Sequence, residues 1–421
     1  MSETQCHHLY VLAIVLAGLF GSFTNAGDCP PRYEVTAIIE GPDCGEPWGK
    51  ANVTVWGMND HGDVAGWFSC TVGYDHAFVW YNEGEGSGTF VEIPMPPKTY
   101  YCRAYDINND GYVTGEAIIA DSGYQGSVGF LYDGQDTEVI VPPAPYLGLR
   151  ARALNAQLDI VGELGPPDTA FLYRNGVVHD LGPLLTGEAS EAYGCNDAGL
   201  VVGWAGWLGS PYFLEHAFLT DGHTVTEFGP MPGGLTSRAQ AVDDKGRWAG
   251  FAIVQDGPDE YSSHALYWDG VNMIDLGTLP GRDKCKAWDL CNETVVGYTM
   301  TGGQAGEAFL WEDGVMWDLN DLVDTGDVLL SSARAIDSLG QVVCQGHQTG
   351  LGFVLSPLDY LCGDADEDGV VDVLDLLLVL RHWGPGESCA DLNLDGIVDA
   401  DDLSLVLDHW GQTQTGRAPG R

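Results

Sequence analysis

A pattern about forty-seven residues long recurs seven times between residues 50 and 356, which limits the chain to architectures assembled from small, similar sheets. Each copy opens with an Ala-rich strand ending near Asn or Asp and turns at Gly. It then takes an apolar step closing on Gly, followed by a His-Ala-Phe-like strand and a further hydrophobic strand. The apolar-Gly steps are Val64-Ala65-Gly66, Val113-Thr114-Gly115, Ile160-Val161-Gly162, Val201-Val202-Gly203, Trp248-Ala249-Gly250, Val295-Val296-Gly297 and, with the glycine lost, Val342-Val343-Cys344. Their spacings are 49, 47, 41, 47, 47 and 47 residues. The partner strands are typified by His76-Ala77-Phe78, Thr169-Ala170-Phe171, His216-Ala217-Phe218, His264-Ala265-Leu266 and Glu307-Ala308-Phe309.

Four short strands per repeat, punctuated by turns such as Asn109-Asp110-Gly111 and Asp269-Gly270, fit a four-stranded blade. A blade of this size buries its faces only against its neighbours, so a radial array is expected. The fold class is therefore all-β: a β-propeller of seven four-stranded blades, followed by a small α-helical module. The seventh repeat ends at Leu355 without a fourth strand, and Tyr33–Ile39 alternates like a strand ahead of the first repeat. That strand is expected to complete the last blade in a 3+1 closure, leaving no open edge. The His-Ala-Phe segments resemble the extracellular HAF repeat family of secreted bacterial proteins, a resemblance that implies architecture more than activity.

His76, His216 and His264 occupy equivalent positions of different repeats, which spreads them around a ring and favours a structural role over a shared metal. Repeated aromatic residues such as Trp80, Tyr132, Trp268 and Trp311 read as blade packing. Longer insertions carry Trp204, Trp207, Tyr212 and Phe213, and Asp256, Asp259, Glu260 and Tyr261. Aromatic platforms beside carboxylates suit stacking on sugars, yet nothing singles out the carboxylate pair a glycosidase needs.

The chemistry the chain declares outright lies near its C-terminus, in two twelve-residue loops at 364–375 and 391–402. The first places Asp364, Asp366, Asp368, the Val370 carbonyl, Asp372 and Asp375 at positions 1, 3, 5, 7, 9 and 12. The second places Asp391, Asn393, Asp395, the Ile397 carbonyl, Asp399 and Asp402 there. Gly369 and Gly396 at position 6 allow the sharp turn that aims oxygens at one calcium ion per loop. After each loop an apolar stripe (Leu376, Val379, Leu380 and Trp383, then Leu403, Val406, Leu407 and Trp410) predicts an amphipathic helix stopped by Gly384 or Gly411. Thirteen of twenty-one positions are identical between 364–384 and 391–411. A closing Asp in place of Glu, and Pro357 upstream, argue against the entering helix of an EF-hand.

These residues resemble the type I dockerin family over roughly 363–411. The resemblance implies calcium-dependent docking onto a cohesin-type partner, in the setting of polysaccharide degradation or the cell surface. It also implies partner contacts at loop positions 10 and 11 and on the following helix: Val373, Leu374, Ala400, Asp401, Arg381 and Asp408.

An apolar run at 9–20 ending in Thr24-Asn25-Ala26 reads as a secretory signal cleaved near Ala26. Ten cysteines remain after cleavage, for an oxidising compartment. Cys362 with Cys389, at equivalent points of the duplicated unit, is the foremost expected disulfide. Cys29–Cys44, Cys70–Cys102 and Cys285–Cys291 follow, with Cys195 and Cys344 as buried thiols. Sixty-one acidic against seventeen basic residues exclude nucleic acid and anionic membrane as partners, and no later segment is long enough to span a bilayer.

The expected organisation is a signal at 1–26, a propeller at 33–356, a linker at 357–362, a dockerin-like module at 363–411 and a disordered tail at 412–421. Three functions fit it. One is a secreted non-catalytic binding propeller docked on a cohesin. The second is a docked glycoside hydrolase or polysaccharide lyase, and the third a matrix protein whose calcium loops cap its end.

Overall fold

The computed structural model describes residues 30–413, apart from 46–48, 71–74, 96–98, 122–123, 208–213, 232–233, 256–260, 303–305, 359, 367 and 386–388. The expected signal segment lies outside the described residues. The chain divides into a unit of residues 34–356 and a second unit in which residues up to 33 join 357–421.

The larger unit is a β-propeller of four-stranded antiparallel groups in chain order. Asn52–Met58, Val64–Ser69, Asp75–Gly84 and Ser87–Glu92 form the first complete sheet, and the next three begin at Thr99–Ile107, Gly148–Leu154 and Ala189–Cys195. The groups beginning at Arg238–Val242 and Lys284–Cys291 touch through one parallel pair, Ser263 with Lys284. In the last group, Leu330–Ile336, Val342–Gly346 and Gly352–Pro357 take Tyr33–Ile39 as the neighbour of Gly352–Pro357. Thr36 Oγ1 donates to the Val354 carbonyl there at 3.2 Å.

The glycine of the apolar step has a steric cause. It sits opposite the Phe of the third strand, as Gly66 with Phe78 and Gly115 with Phe130. A Cβ added at Gly115 would lie 1.9 Å from the Arg103 carbonyl oxygen and 2.7 Å from Phe130 Cε1. The side chain absent from strand two is the space the phenylalanine fills, and Phe78, Phe130, Phe171, Phe218, Phe309 and Phe353 are fully buried.

The innermost strands share a second device. Each pairing register skips one residue, at Trp56, Tyr105, Arg152, Tyr193, Gln240, Trp288 and Arg334. A bulge at this point re-aims one side chain per strand, and these side chains line a cavity of about 450 Å³. Arg334 lies over the Trp56 and Trp288 rings at 4.4 and 5.3 Å. Such contacts return up to about 2 kcal/mol apiece, whereas withdrawing an ion from water costs several kcal/mol.

The disulfide expectations need correction. Cys44 bonds to Cys70, 26 positions further along the chain, which excludes Cys29–Cys44 and Cys70–Cys102; Cys29 itself lies outside the described residues. Cys285 and Cys291 are free, because both sit on the single strand Lys284–Cys291 and cannot face each other as a bonded pair. Cys389 is a free, exposed thiol while Cys362 is disulfide-bonded, so the symmetric pair does not form. Cys344 is a buried thiol as expected, and Cys195 is half-buried. Trp204 belongs to no exposed platform: it is buried, with the Arg238 guanidinium 4.8 Å from its ring. Tyr212, Phe213, Asp256, Asp259 and Glu260 lie outside the described residues.

The second unit is built on two helices, Val373–Arg381 and Ala400–Asp408. Val371, Val379, Val398, Leu405 and Val406 form its core with Ala365, Ala390 and Leu392. The helices end at Arg381 and Asp408, three residues before the glycines, with His382 and His409 as C-caps. Trp383 and Trp410 therefore lie beyond the helices and are exposed. The segment expected to be a linker is packed into this unit: Leu361 and Cys362 lie against its core, Leu358 N–H donates to the Arg32 carbonyl at 2.8 Å, and Tyr360 donates to the Pro30 carbonyl. The tail likewise begins as structure, since Val371 N–H donates to the Gln412 carbonyl at 3.0 Å and Val370 bridges to Thr413.

Candidate metal centre

The two loops are nearly superimposable in their hydrogen bonding. In the first, Asp364 accepts from Asp368 N–H at 3.1 Å and from Gly369 N–H at 2.8 Å. In the second, Asp391 accepts from Asp395 N–H at 3.2 Å and Gly396 N–H at 2.9 Å. Gly369 and Gly396 have φ of 86° and 85°, the left-handed turn that glycine adopts without strain. Asp366 and Asn393 at position 3 accept from the position 5 N–H, and Asp368 and Asp395 accept from the position 7 N–H. Each side chain thus curls its oxygens toward one point inside the loop.

Positions 9 and 12 tie loop to helix. Asp372 caps Val373–Arg381 by accepting from Leu374 N–H at 2.7 Å, and Asp375 reaches back to Asp372 N–H at 2.7 Å, a reciprocal capping box. Asp399 and Asp402 repeat it ahead of Ala400–Asp408. Asp375 also accepts from Ala365 N–H at 2.7 Å, and Asp402 from Leu392 N–H at 2.6 Å. These closing aspartates are fully buried, so a short side chain at position 12 is demanded by the space.

Carboxylate oxygens of Asp364, Asp366 and Asp368 lie within 4.8 Å of one another. The second loop presents two carboxylates and the Asn393 amide at the same positions. Burial pushes Asp364 and Asp366 above the ordinary carboxylate range, helped by the Asp375 and Asp368 charges, and burial raises Asp402. Hard oxygens crowded around a glycine turn fit a divalent cation such as calcium. Asp364, Asp366, Asp368, Asp372 and Asp375, with the Val370 carbonyl, would hold it in the first loop. Asp391, Asn393, Asp395, Asp399 and Asp402, with the Ile397 carbonyl, would do so in the second.

The expected partner residues all lie at or near the surface. Leu374, Arg381, Asp401 and Asp408 are exposed, and Val373 and Ala400 half-buried. Leu377 and Leu380 are exposed by 51 and 45% beside Leu374 at 51%. Sequence periodicity had assigned Leu380 to the core stripe, but the helix buries Val379 and leaves Leu380 exposed with Leu374 and Leu377.

The repeated histidines do not converge. His76 pairs with Glu92 and His264 with Asp275, each at 2.8 Å and each across strands of its own sheet. The channel residues were missed. Their trace in the sequence, as in Ala104-Tyr105-Asp106 and Ala333-Arg334-Ala335, is a large, variable residue three positions before the Asn or Asp that follows the strand, except at Trp288, where Cys291 takes that place.

The architecture is thus a propeller accompanied by a duplicated calcium-loop module. Residues 362–409 match the dockerin type I domain family, and that segment is a dockerin domain. Dockerin domains bind calcium and cohesin partners. No curated protein matches the chain. Among solved structures, it is similar to the β-propeller domain of the Trilobed protease from Pyrococcus furiosus, at 12% identity and a TM-score of 0.49, covering 73% of this chain and 95% of that one. It is similar also to YCF48 bound to D1 peptide, at 14% identity and a TM-score of 0.45, covering 79 and 98%. At such identities the likeness is one of fold.

Proposed function

We propose that this chain is a secreted, non-catalytic binding protein whose ring of seven blades is carried to a cohesin-type partner by its dockerin domain, loaded with two calcium ions. The observation that carries the reading is the congruence of the two loops, in which the same aspartates that face the cation also start the helices. Calcium would therefore set the helix surface that a partner meets. Val373, Leu374 and Arg381 on one helix and Ala400, Asp401 and Asp408 on the other form that surface, in an extracellular or cell-surface setting of polysaccharide breakdown.

The test is calorimetric titration of calcium into the full chain, then capture on an immobilised type I cohesin with and without chelator. Two ions per chain and capture abolished by chelator are expected. Capture indifferent to chelator, or a stoichiometry below two, would refute the reading.

A further inference from the structure

The channel through the propeller concentrates charge of the sign the chain otherwise lacks. Acidic residues outnumber basic ones 61 to 17, yet Arg152, Arg238, Lys286 and Arg334 line one cavity. Two of these meet carboxylates. Arg238 donates twice to Glu215 at 2.6 Å, and Arg152 lies 3.3 Å from Glu163. Lys286 and Arg334 meet no carboxylate among the described residues. The Lys286 ammonium lies 4.2 Å from the Phe251 ring, and Arg334 has only its two indoles.

Donors without acceptors lie beside these cations. Arg334 Nε and Trp288 Nε1 are shut off from solvent with no hydrogen-bond partner. The carboxylates of the lining do not serve them. Asp106 gives its oxygens to the N–H groups of Ile107 and Leu154, and Asp289 to those of Leu290 and Ile336, all at 2.9 Å. Withdrawal from water draws Arg334 down to about 10, so it keeps its charge at neutral pH. A half-buried cation whose Nε has no acceptor is a standing cost unless something anionic meets it.

We propose that this cavity binds a small acidic sugar, its carboxylate meeting the Arg334 guanidinium, with Lys286 adding its charge to the same lining and the Trp288 indole turning its N–H to a ring or hydroxyl oxygen on binding. The carboxylate supplies the absent counter-charge, and a fork of guanidinium donors suits it. Trp56, Tyr105 and Trp288 border the cavity with their aromatic rims, and Gln240 beside them both donates and accepts. The volume of about 450 Å³ holds one or two sugar rings, whereas a bare inorganic anion would leave the aromatic walls untouched.

The experiment titrates the calcium-loaded full chain with digalacturonate, cellobiose and inorganic phosphate. Digalacturonate should bind at least tenfold more tightly than either of the others. Arg334→Met and Lys286→Met should each weaken it tenfold or more, with Arg334→Lys retaining part of the affinity. Without sugar, Arg334→Met should raise the melting temperature, because it removes an uncompensated charge. The proposal is overturned if digalacturonate binds no better than phosphate or cellobiose. It is equally overturned if Arg334→Met lowers the melting temperature and leaves binding unchanged, which would make the guanidinium a structural stack on its two tryptophans.

Discussion

The side-chain amide of Asn59 donates to the backbone carbonyl of Asn108, 49 residues further on, at 3.1 Å, and the gesture repeats around the propeller. Asn108 donates to the Asn155 carbonyl at 3.1 Å, Asn155 to that of Asn196 at 2.9 Å, and Asn196 to that of Asp243 at 2.6 Å. There the donor is lost and the device changes: Asp243 holds Arg247, which reaches Glu293 of the following group. Asn292 then meets the Ser338 carbonyl at 3.4 Å, and Ser338 N–H returns to Asp60 at 2.9 Å. The residue that follows the inner strand is therefore a latch to the next sheet in four of the groups, and in the others a nearby turn residue makes the link.

Breaking one latch should be costly. Asn108 also accepts from the N–H groups of Asp110 and Tyr112 at 3.1 and 3.0 Å, so Asn108→Ala strands two donors and one acceptor. A loss of about 3 kcal/mol in unfolding free energy is expected, read from denaturant midpoints. Asn108→Asp keeps the acceptor but sets a carboxylate against the Asn155 carbonyl. Its penalty relative to wild type should be larger at pH 7 than at pH 4, where a protonated acid can donate.

The glycine of the apolar step separates steric need from conformational need. Gly115→Ala drives a Cβ into the Arg103 carbonyl and should abolish folding or cost more than about 3 kcal/mol. Gly111 has φ of 82° but open space around it. Gly111→Ala should cost only about 1 kcal/mol. Thermal unfolding of the two variants side by side decides this, and equal effects would remove the packing role assigned to Phe130.

In the dockerin domain, ligand and brace should be separable. Asp368 is exposed and accepts one hydrogen bond, whereas buried Asp375 accepts from Ala365, Asp366 and Asp372. Asp368→Ala should weaken calcium binding at the first loop by about a hundredfold while excess calcium restores the fold. Asp375→Ala should leave the Val373–Arg381 helix open to hydrogen exchange at any calcium concentration. The propeller should be unchanged in both.

The parts legible in the sequence were those that repeat with the same chemistry. The Gly66 to Cys344 series and the aspartates of the two loops announce themselves by spacing, since a steric or coordination demand admits few residue types. The channel stayed hidden because a bulge displaces Trp56 or Arg334 from strict alternation, and because its seven positions carry different side chains. Cys44–Cys70 was missed for another reason: a disulfide depends on distance in space, and the two cysteines flank different strands of the first sheet. Leu380 was misassigned because apolar residues stand on both faces of Val373–Arg381, and Leu374, Leu377 and Leu380 share the exposed one while Val379 is buried.

The exposed helix surfaces differ between the two halves of the dockerin domain. Leu374, Leu377 and Leu380 give the first an apolar stripe, while the second shows Asp401 and Asp408. Apolar centres dominate protein interfaces, so the first helix should carry the docking energy. Leu377→Lys should reduce cohesin capture at least tenfold with calcium stoichiometry intact, and Ser404→Lys should have little effect. The reverse ranking would assign the contact to the second helix.

Buried carboxyls give the propeller an unusual dependence on pH. Burial raises Asp106 and Asp289 to about 7 and Asp337 to about 6, and raises Glu163 to about 7 despite the opposing charges of Arg152 and Arg150. Up to those values the folded chain holds protons that the unfolded chain releases near pH 4. The stabilising protonation is complete below pH 4 and lost as pH rises toward 7, at on the order of 1 kcal/mol per pH unit for each group. With calcium saturating, propeller stability should therefore fall between pH 5 and pH 8, whereas the calcium loops gain ligands over the acid end of that range. Hydrogen exchange in the inner strands, followed separately from residues 361–413, resolves the two trends. In Asp106→Ala/Asp289→Ala the slope should flatten. Alanine already stands at this position in Ala153, Ala241 and Ala335, so the site accommodates it without steric conflict. A slope unchanged in the double variant would mean that these two carboxyls are ionised throughout and that the dependence arises elsewhere.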